Sequence, residues 1–87
     1  MRYFARDWSE SRGDSHDAWG ASRWFFETND QGQVLRQVEV YDRGPTLRYD
    51  REHVEDAQGH LSEKPLDLDE FREFETDAET FASAWSE

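Results

Sequence analysis

The segment from Ser22 to Tyr41 constrains the fold more than any other part of the chain. Ser22–Thr28 and Gln33–Tyr41 are rich in aromatic and β-branched residues, and Asn29-Asp30-Gln31-Gly32 lies between them. Two such runs around a short polar loop ending in glycine read as a β-hairpin. A type I turn with Gly32 in the left-handed position pairs Asn29 with Gln33. Carried along the strands without interruption, that register sets Phe26 opposite Arg36, Trp24 opposite Val38 and Ser22 opposite Val40. It gathers Trp24, Phe26, Val34, Val38 and Val40 on one face and pairs Arg23 with Glu39 on the other.

The flanking segments extend the hairpin into a sheet. Asp42-Arg43-Gly44-Pro45 reverses the chain into Thr46–Tyr49, and pairing Tyr41 with Thr46 sends Leu47 and Tyr49 to the core face. Pro45 lacks an N–H and suits only the start of a strand. Residues 1–8 alternate, with Phe4, Arg6 and Trp8 on one side, and read as a further strand. The polar stretch over 9–18 is a loop, and the adhesion-like tripeptide Arg12-Gly13-Asp14 within it reads as coincidence.

After Pro65 the pattern turns helical. Asp67 followed by Glu70, with Leu68, Phe71 and Phe74 behind, predicts a short helix over about 68–74. Thr76 and Glu79 spell a capping box ahead of Ala78, Phe81, Ala82 and Trp85, one apolar stripe. A helix of about ten residues is marginal alone, so the stripe must dock on the sheet. The expected fold is α+β and a single domain over 1–87: a small antiparallel β-sheet meander with one or two short C-terminal helices packed on one face.

Composition decides what such a domain can do. Four Trp, six Phe and three Tyr supply a core, while a net charge of −11 and 36% charged residues keep the rest polar. No apolar run is long enough for a membrane span, and charges near the N-terminus do not fit a signal peptide. With no cysteine there are no disulfides, thiolate metal sites or cysteine nucleophiles, and a reducing, cytoplasmic location is expected. The excess charge is uneven: residues 1–49 carry eight acids and seven bases, residues 50–87 thirteen acids and three bases. This argues against nucleic-acid and anionic-membrane binding. It leaves two readings of the acidic half, a solubilising surface or a recognition surface for a basic protein partner.

The candidate partner-binding residues are Trp19, placed where the loop enters the hairpin, and Asp67, Asp69, Glu70, Glu73 and Asp77. Trp19 reads either as a cap over the core or as an exposed anchor. No cofactor and no metal are expected. Asp50, His53, Asp56 and His60 are the nearest approach to a ligand set, since a helix there would put His53, Asp56 and His60 on one face, but their spacing matches no known motif. A monomer or weak homodimer is expected.

The residues Trp24-Phe25-Phe26-Glu27, Gly32, Arg36-Gln37-Val38-Glu39-Val40-Tyr41-Asp42, Gly44 and Leu47-Arg48-Tyr49 resemble those of a group of small uncharacterised acidic bacterial proteins. His53, Glu55-Asp56, Gly59, Leu61 and the closing Phe81 to Trp85 extend the resemblance over most of the chain. Some members lie beside toxin genes and are suspected immunity factors, so the resemblance implies a non-enzymatic inhibitor of a basic protein. It transfers no catalytic residues. The alternatives are a small hydrolase or metal-dependent enzyme using Asp50–His60, and a ligand-binding fold with an aromatic pocket around Trp19 and Trp24.

Overall fold

In a computed structural model of the protein, residues 1–9, 13 and 17–86 are described. Arg12 and Asp14, and with them the adhesion-like tripeptide, lie outside the described residues. Five antiparallel strands form one sheet: β1 (Arg2–Trp8), β2 (Ser22–Thr28), β3 (Val34–Tyr41), β4 (Thr46–Tyr49) and β5 (Glu75–Thr76). Their spatial order is β4-β3-β2-β1-β5. Two short helices, α1 (Leu68–Phe71) and α2 (Ala78–Ser86), follow in the C-terminal part, and single 3-10 turns occupy Asp17–Trp19 and Arg72–Phe74. The small α+β fold with its antiparallel meander is as the sequence predicts. No helix among the described residues is long and apolar enough to cross a membrane.

The hairpin turn forms as expected, but the register beyond it does not. Asn29 N–H donates to the Gln33 carbonyl at 3.1 Å, the Asn29 side chain accepts from the Gln31 and Gln33 N–H groups, and Gly32 takes φ +83°. Thr28 still faces Val34, but Glu27 faces Arg36, so a β-bulge leaves Leu35 as an extra residue. Every later pair is displaced by one: Phe26 opposes Gln37, Trp24 opposes Glu39 and Ser22 opposes Tyr41. Val38 and Val40 therefore leave the Trp24 face, and the expected Arg23–Glu39 pair does not form. Arg23 opposes Val40 and binds Asp7 of β1 through Nε at 2.5 Å, while Glu39 is buried on the other face. The β3–β4 turn is also one residue longer than expected, Val40 and not Tyr41 facing Thr46. Tyr41 still opposes Ser22, and Asp42 N–H donates to the Ala21 carbonyl at 2.9 Å.

Both faces of the sheet are covered. On one, Phe4, Phe26, Val34, Tyr41, Leu47, Tyr49 and Leu61 form a core flanked by Trp19, Trp24, Leu66, Leu68 and Phe71. On the other, Phe25 and Val38 pack against Phe81 and Ala84 of α2, with Tyr3, Ala5, Val40 and Trp85 around them. The longer helix docks on a single face, and the α1 segment crosses the opposite one. The docking stripe of α2 is Phe81, Ala84 and Trp85; Ala78 and Ala82 are exposed. Its cap also shifts from the expected Thr76. Thr76 is taken into β5 opposite Tyr3, and the Asp77 carboxylate accepts the Thr80 N–H at 2.8 Å. Asp67 caps α1 as expected, accepting from Asp69 and Glu70 N–H.

Candidate functional site

The expected partner-binding acids lie where α1, β5 and the start of α2 run along the β1 side of the sheet, but several have structural duties. Asp67 and Asp77 cap the two helices. Glu70 binds Arg6 at 3.3 Å, and Asp69 binds Arg72 at 2.7 Å while remaining 88% exposed. Glu73 is exposed. Trp19 does not join them. Its ring packs at a tilt against Tyr41 with centroids 4.9 Å apart, and a Cβ on Gly44 would come within 2.5 Å of it. It packs, partly buried, on the β3 side of the core.

Several arginines are paired within the chain, while Arg43, Arg51 and Lys64 are exposed. Arg2 holds Glu75 through two nitrogens at 3.0 and 3.1 Å. Arg23 holds Asp7, and Arg48 donates to the Trp85 carbonyl at 2.6 Å. Arg36 makes the most buried pairing, its Nε and Nη2 donating to the two oxygens of buried Glu27 at 2.9 and 2.8 Å. It also lies over the rings of Phe81 and Trp85 at 4.9 and 5.0 Å, which ties α2 to the sheet.

The Arg36 hydrogen bonds hold the Glu27 carboxyl below the usual carboxylate range against the opposing effect of burial. A group depressed in the folded state stabilises the fold above its unfolded value, about 4.3 for glutamate, and that contribution disappears as pH falls through the folded value. Asp7, Glu75 and Asp77 are shifted the same way, by Arg23, Arg2 and the Thr80 N–H respectively, but they are exposed and screened. The melting temperature should therefore fall between pH 6 and pH 3. The fall should be smaller in Glu27→Gln, whose amide does not titrate. An equal fall in both proteins would show that the pair contributes nothing to acid sensitivity.

The segment bearing Asp50, His53, Asp56 and His60 is a succession of turns, so the helical face expected to carry three ligands does not exist. Asp50 Oδ1 accepts from the Glu52 and His53 N–H groups, and Asp56 Oδ1 from those of Gln58 and Gly59. Tyr49 OH donates to the same Asp56 oxygen at 2.9 Å, and its ring stacks on His53 at 5.8 Å. The His60 ring lies 3.0 Å from the Leu61 carbonyl oxygen. No group of three possible ligands gathers among the described residues.

Of the aromatic pocket expected around Trp19 and Trp24, the structure forms a cavity that Trp24 lines and Trp19 does not. Arg6, Trp8, Trp24, Phe26 and Phe71 line a cavity of about 180 Å³ on the sheet face crossed by α1. Trp8 is 46% exposed at its mouth. The alternation of Phe4, Arg6 and Trp8 already placed those side chains together. What the sequence lacks is the pairing of β1 with β2, which sets Arg6 opposite Trp24 and Phe4 opposite Phe26. A shallower concavity of about 240 Å³ lies on the same face, over Trp24, Glu39, Tyr41 and His60. Glu39 accepts from Gln37 Nε2 at 2.8 Å and from Tyr41 OH, so its buried carboxylate is hydrogen-bonded within the sheet. Compared with family models, with curated proteins and with solved structures, the chain finds no match.

Proposed function

We propose that this is a non-enzymatic binding protein whose acidic surface engages a basic protein partner in the cytoplasm. The observation that carries the reading is the excess of exposed carboxylates over the arginines that pair with them. Arg2, Arg6, Arg23, Arg36 and Arg72 each hold a carboxylate of the chain, while Glu52, Glu55, Glu63, Glu73 and Glu79 are exposed. Arg43, Arg51 and Lys64 are exposed as well, but the net charge of −11 leaves the acids in excess. A field of one sign raises association rates with an oppositely charged partner, by 10- to 1,000-fold in favourable cases. The resemblance to acidic bacterial proteins, some beside toxin genes, makes a toxin the kind of basic partner to seek, with this chain as its inhibitor.

The caps dictate which charges to reverse. Asp67→Lys or Asp77→Lys would remove a helix cap worth about 1 kcal/mol and confuse stability with binding. Asp69, Glu73 and Glu79 are exposed and cap nothing. Replacing these three with lysine should slow association with the captured partner several-fold at 50 mM salt. The difference should shrink toward 0.5 M salt, where screening extends over only about 4 Å. Melting should fall modestly, because the exposed Asp69–Arg72 pair contributes about 0–1 kcal/mol and Asp69 and Glu79, in the first turns of their helices, about 0.3–1 kcal/mol each; on-rates are therefore compared at a temperature where both proteins are folded. Affinity capture from the native cell followed by on-rates at the two salt concentrations provides the test. On-rates indifferent to both reversal and salt, or no basic protein captured, would reduce the acidic half to a solubility device.

A further inference from the structure

We infer that the cavity between Arg6, Trp8, Trp24, Phe26 and Phe71 is a binding site for a small neutral molecule with one aromatic ring, a second function that does not rest on the acidic-surface reading. The volume fits one ring. An apolar cavity of roughly 150 Å³ suffices to bind benzene, and this one measures about 180 Å³. Only apolar atoms face it. A water molecule needs about two to four polar partners to be held well. Water is therefore held poorly here, and displacing it with an apolar group gains affinity. Core packing also leaves Trp8 unexplained. At 46% exposure it gains only part of the burial an indole can offer, yet its ring lines the cavity.

The walls favour a ring over an alkyl group. All the lining residues but Arg6 are aromatic, and their rings are set before any ligand arrives. Phe71 meets Phe4 and Phe26 edge-on at 6.0 and 5.9 Å, and Trp24 lies 6.1 Å from Phe26 at a tilt. A further ring among them continues the same tilted and edge-on contacts, which add to the gain from burial alone. Little side-chain freedom is lost on binding. The polar groups nearby are already engaged, which disfavours a charged ligand. The Arg6 guanidinium carbon lies 5.0 Å from the Trp8 ring centroid, 5.1 Å from that of Phe71 and 4.9 Å from that of Phe74. Its Nη1 donates to Glu70 at 3.3 Å, and none of its nitrogens is exposed to the cavity. The Trp24 indole N–H is taken by Ser22 Oγ at 2.8 Å. A carboxylate in the cavity would find no donor, and an ammonium no acceptor beside the Arg6 charge, so either would lose its hydration without compensation.

Benzene, cyclohexane, benzoate and benzylammonium, titrated separately into the full chain and followed by NMR chemical shifts and by melting, test this. Benzene should bind, and should raise the melting temperature with its concentration, as a ligand of the folded state alone does. Relative to its own transfer from water to alkane, it should bind at least about threefold more tightly than cyclohexane, the share that ring–ring contacts contribute. Its shifts should centre on Trp8, Trp24 and Phe71, not on Gly59 and His60 of the neighbouring concavity. Benzoate and benzylammonium should bind no more tightly than benzene. In Trp8→Ala the affinity for benzene should fall about threefold, and the shifts in the native protein locate the ligand even if that variant does not fold. No binding of benzene, or corrected binding of cyclohexane that equals it, overturns the aromatic site. Tighter binding of either charged ring overturns the neutral ligand. Shifts centred away from Trp8 and Phe71, or undiminished affinity in a folded Trp8→Ala protein, overturn its location. Each of these failures leaves the acidic-surface reading standing, because no probe here is a basic protein.

Discussion

Replacing Phe4 with alanine should lower the unfolding free energy by about 3–5 kcal/mol, and Trp24→Ala should cost roughly half as much. Phe4 is fully buried at the centre of the sheet, opposite Phe26 on β2 and Glu75 on β5, and its ring meets Phe71 edge-on. Removing it opens a void between the sheet and the Phe71 side chain packed on it. Trp24 is larger but only partly buried, at the margin of the same cluster, so less of its area leaves water on folding. In a domain of this size each kcal/mol shifts melting by roughly 4–8 °C, so Phe4→Ala should melt more than 10 °C below the native protein. The uninterrupted register read from the turn would give the opposite order, with Trp24 central and most costly. Denaturant titrations with unchanged slopes would decide between them, and a greater loss at Trp24 than at Phe4 would contradict the register described here.

That ordering shows where the sequence is legible. The Asn29–Gly32 turn could be read because its geometry is local: a glycine with positive φ and an asparagine side chain that accepts from the following N–H groups. The bulge at Leu35 could not. A sheet with one wet face betrays a slip by putting polar side chains in the core, but here both faces are covered and both strands alternate ambiguously. Phe25 on one face competes with Trp24 and Phe26 on the other, and Val38 and Val40 compete with Tyr41. Glu39 was no guide either, because it is buried by bonding Gln37 and Tyr41. The displaced cap of α2 has a similar cause. Thr76 and Asp77 are both good N-caps, and the choice is made by Thr76 pairing with Tyr3, 73 residues away in sequence. At the candidate site, counting charges located the acidic half, but nothing local separates Asp67 and Asp77, which cap helices, from exposed Glu73. The aromatic cavity requires β1, β2 and α1 together and so lies beyond any reading of neighbours.

Gly32 is the point where the hairpin and the α1 segment depend on each other, and Gly32→Ala should destabilise the protein by about 2 kcal/mol more than Gly20→Ala. Both glycines have positive φ, +83° and +78°, where alanine costs about 1–2 kcal/mol. Both substitutions also recover a little by restricting the unfolded chain. The environments differ. At Gly20 the nearest atoms to an added Cβ belong to the Arg43 side chain, at 3.2 Å, which can swing away. At Gly32 it would lie 2.6 Å from the Leu66 carbonyl oxygen and 3.3 Å from the Leu68 side chain. Leu66 cannot simply retreat, because its N–H donates to the Gly32 carbonyl at 2.9 Å and its side chain packs on the core. Relief by backbone shift costs roughly 1–3 kcal/mol, as for overpacking elsewhere, and moves the residues just ahead of α1. The same shift should reach the cavity, since α1 carries Phe71 and Glu70. Hydrogen exchange should report it: the Leu66 and Phe71 amides, which donate to Gly32 and Asp67, should exchange faster in Gly32→Ala than the loss of global stability explains, and unchanged in Gly20→Ala beyond that loss. Equal costs at the two glycines, with no local acceleration at Leu66, would mean that the 65–68 segment is not seated on the turn and that the cavity wall it supports is looser than its packing implies.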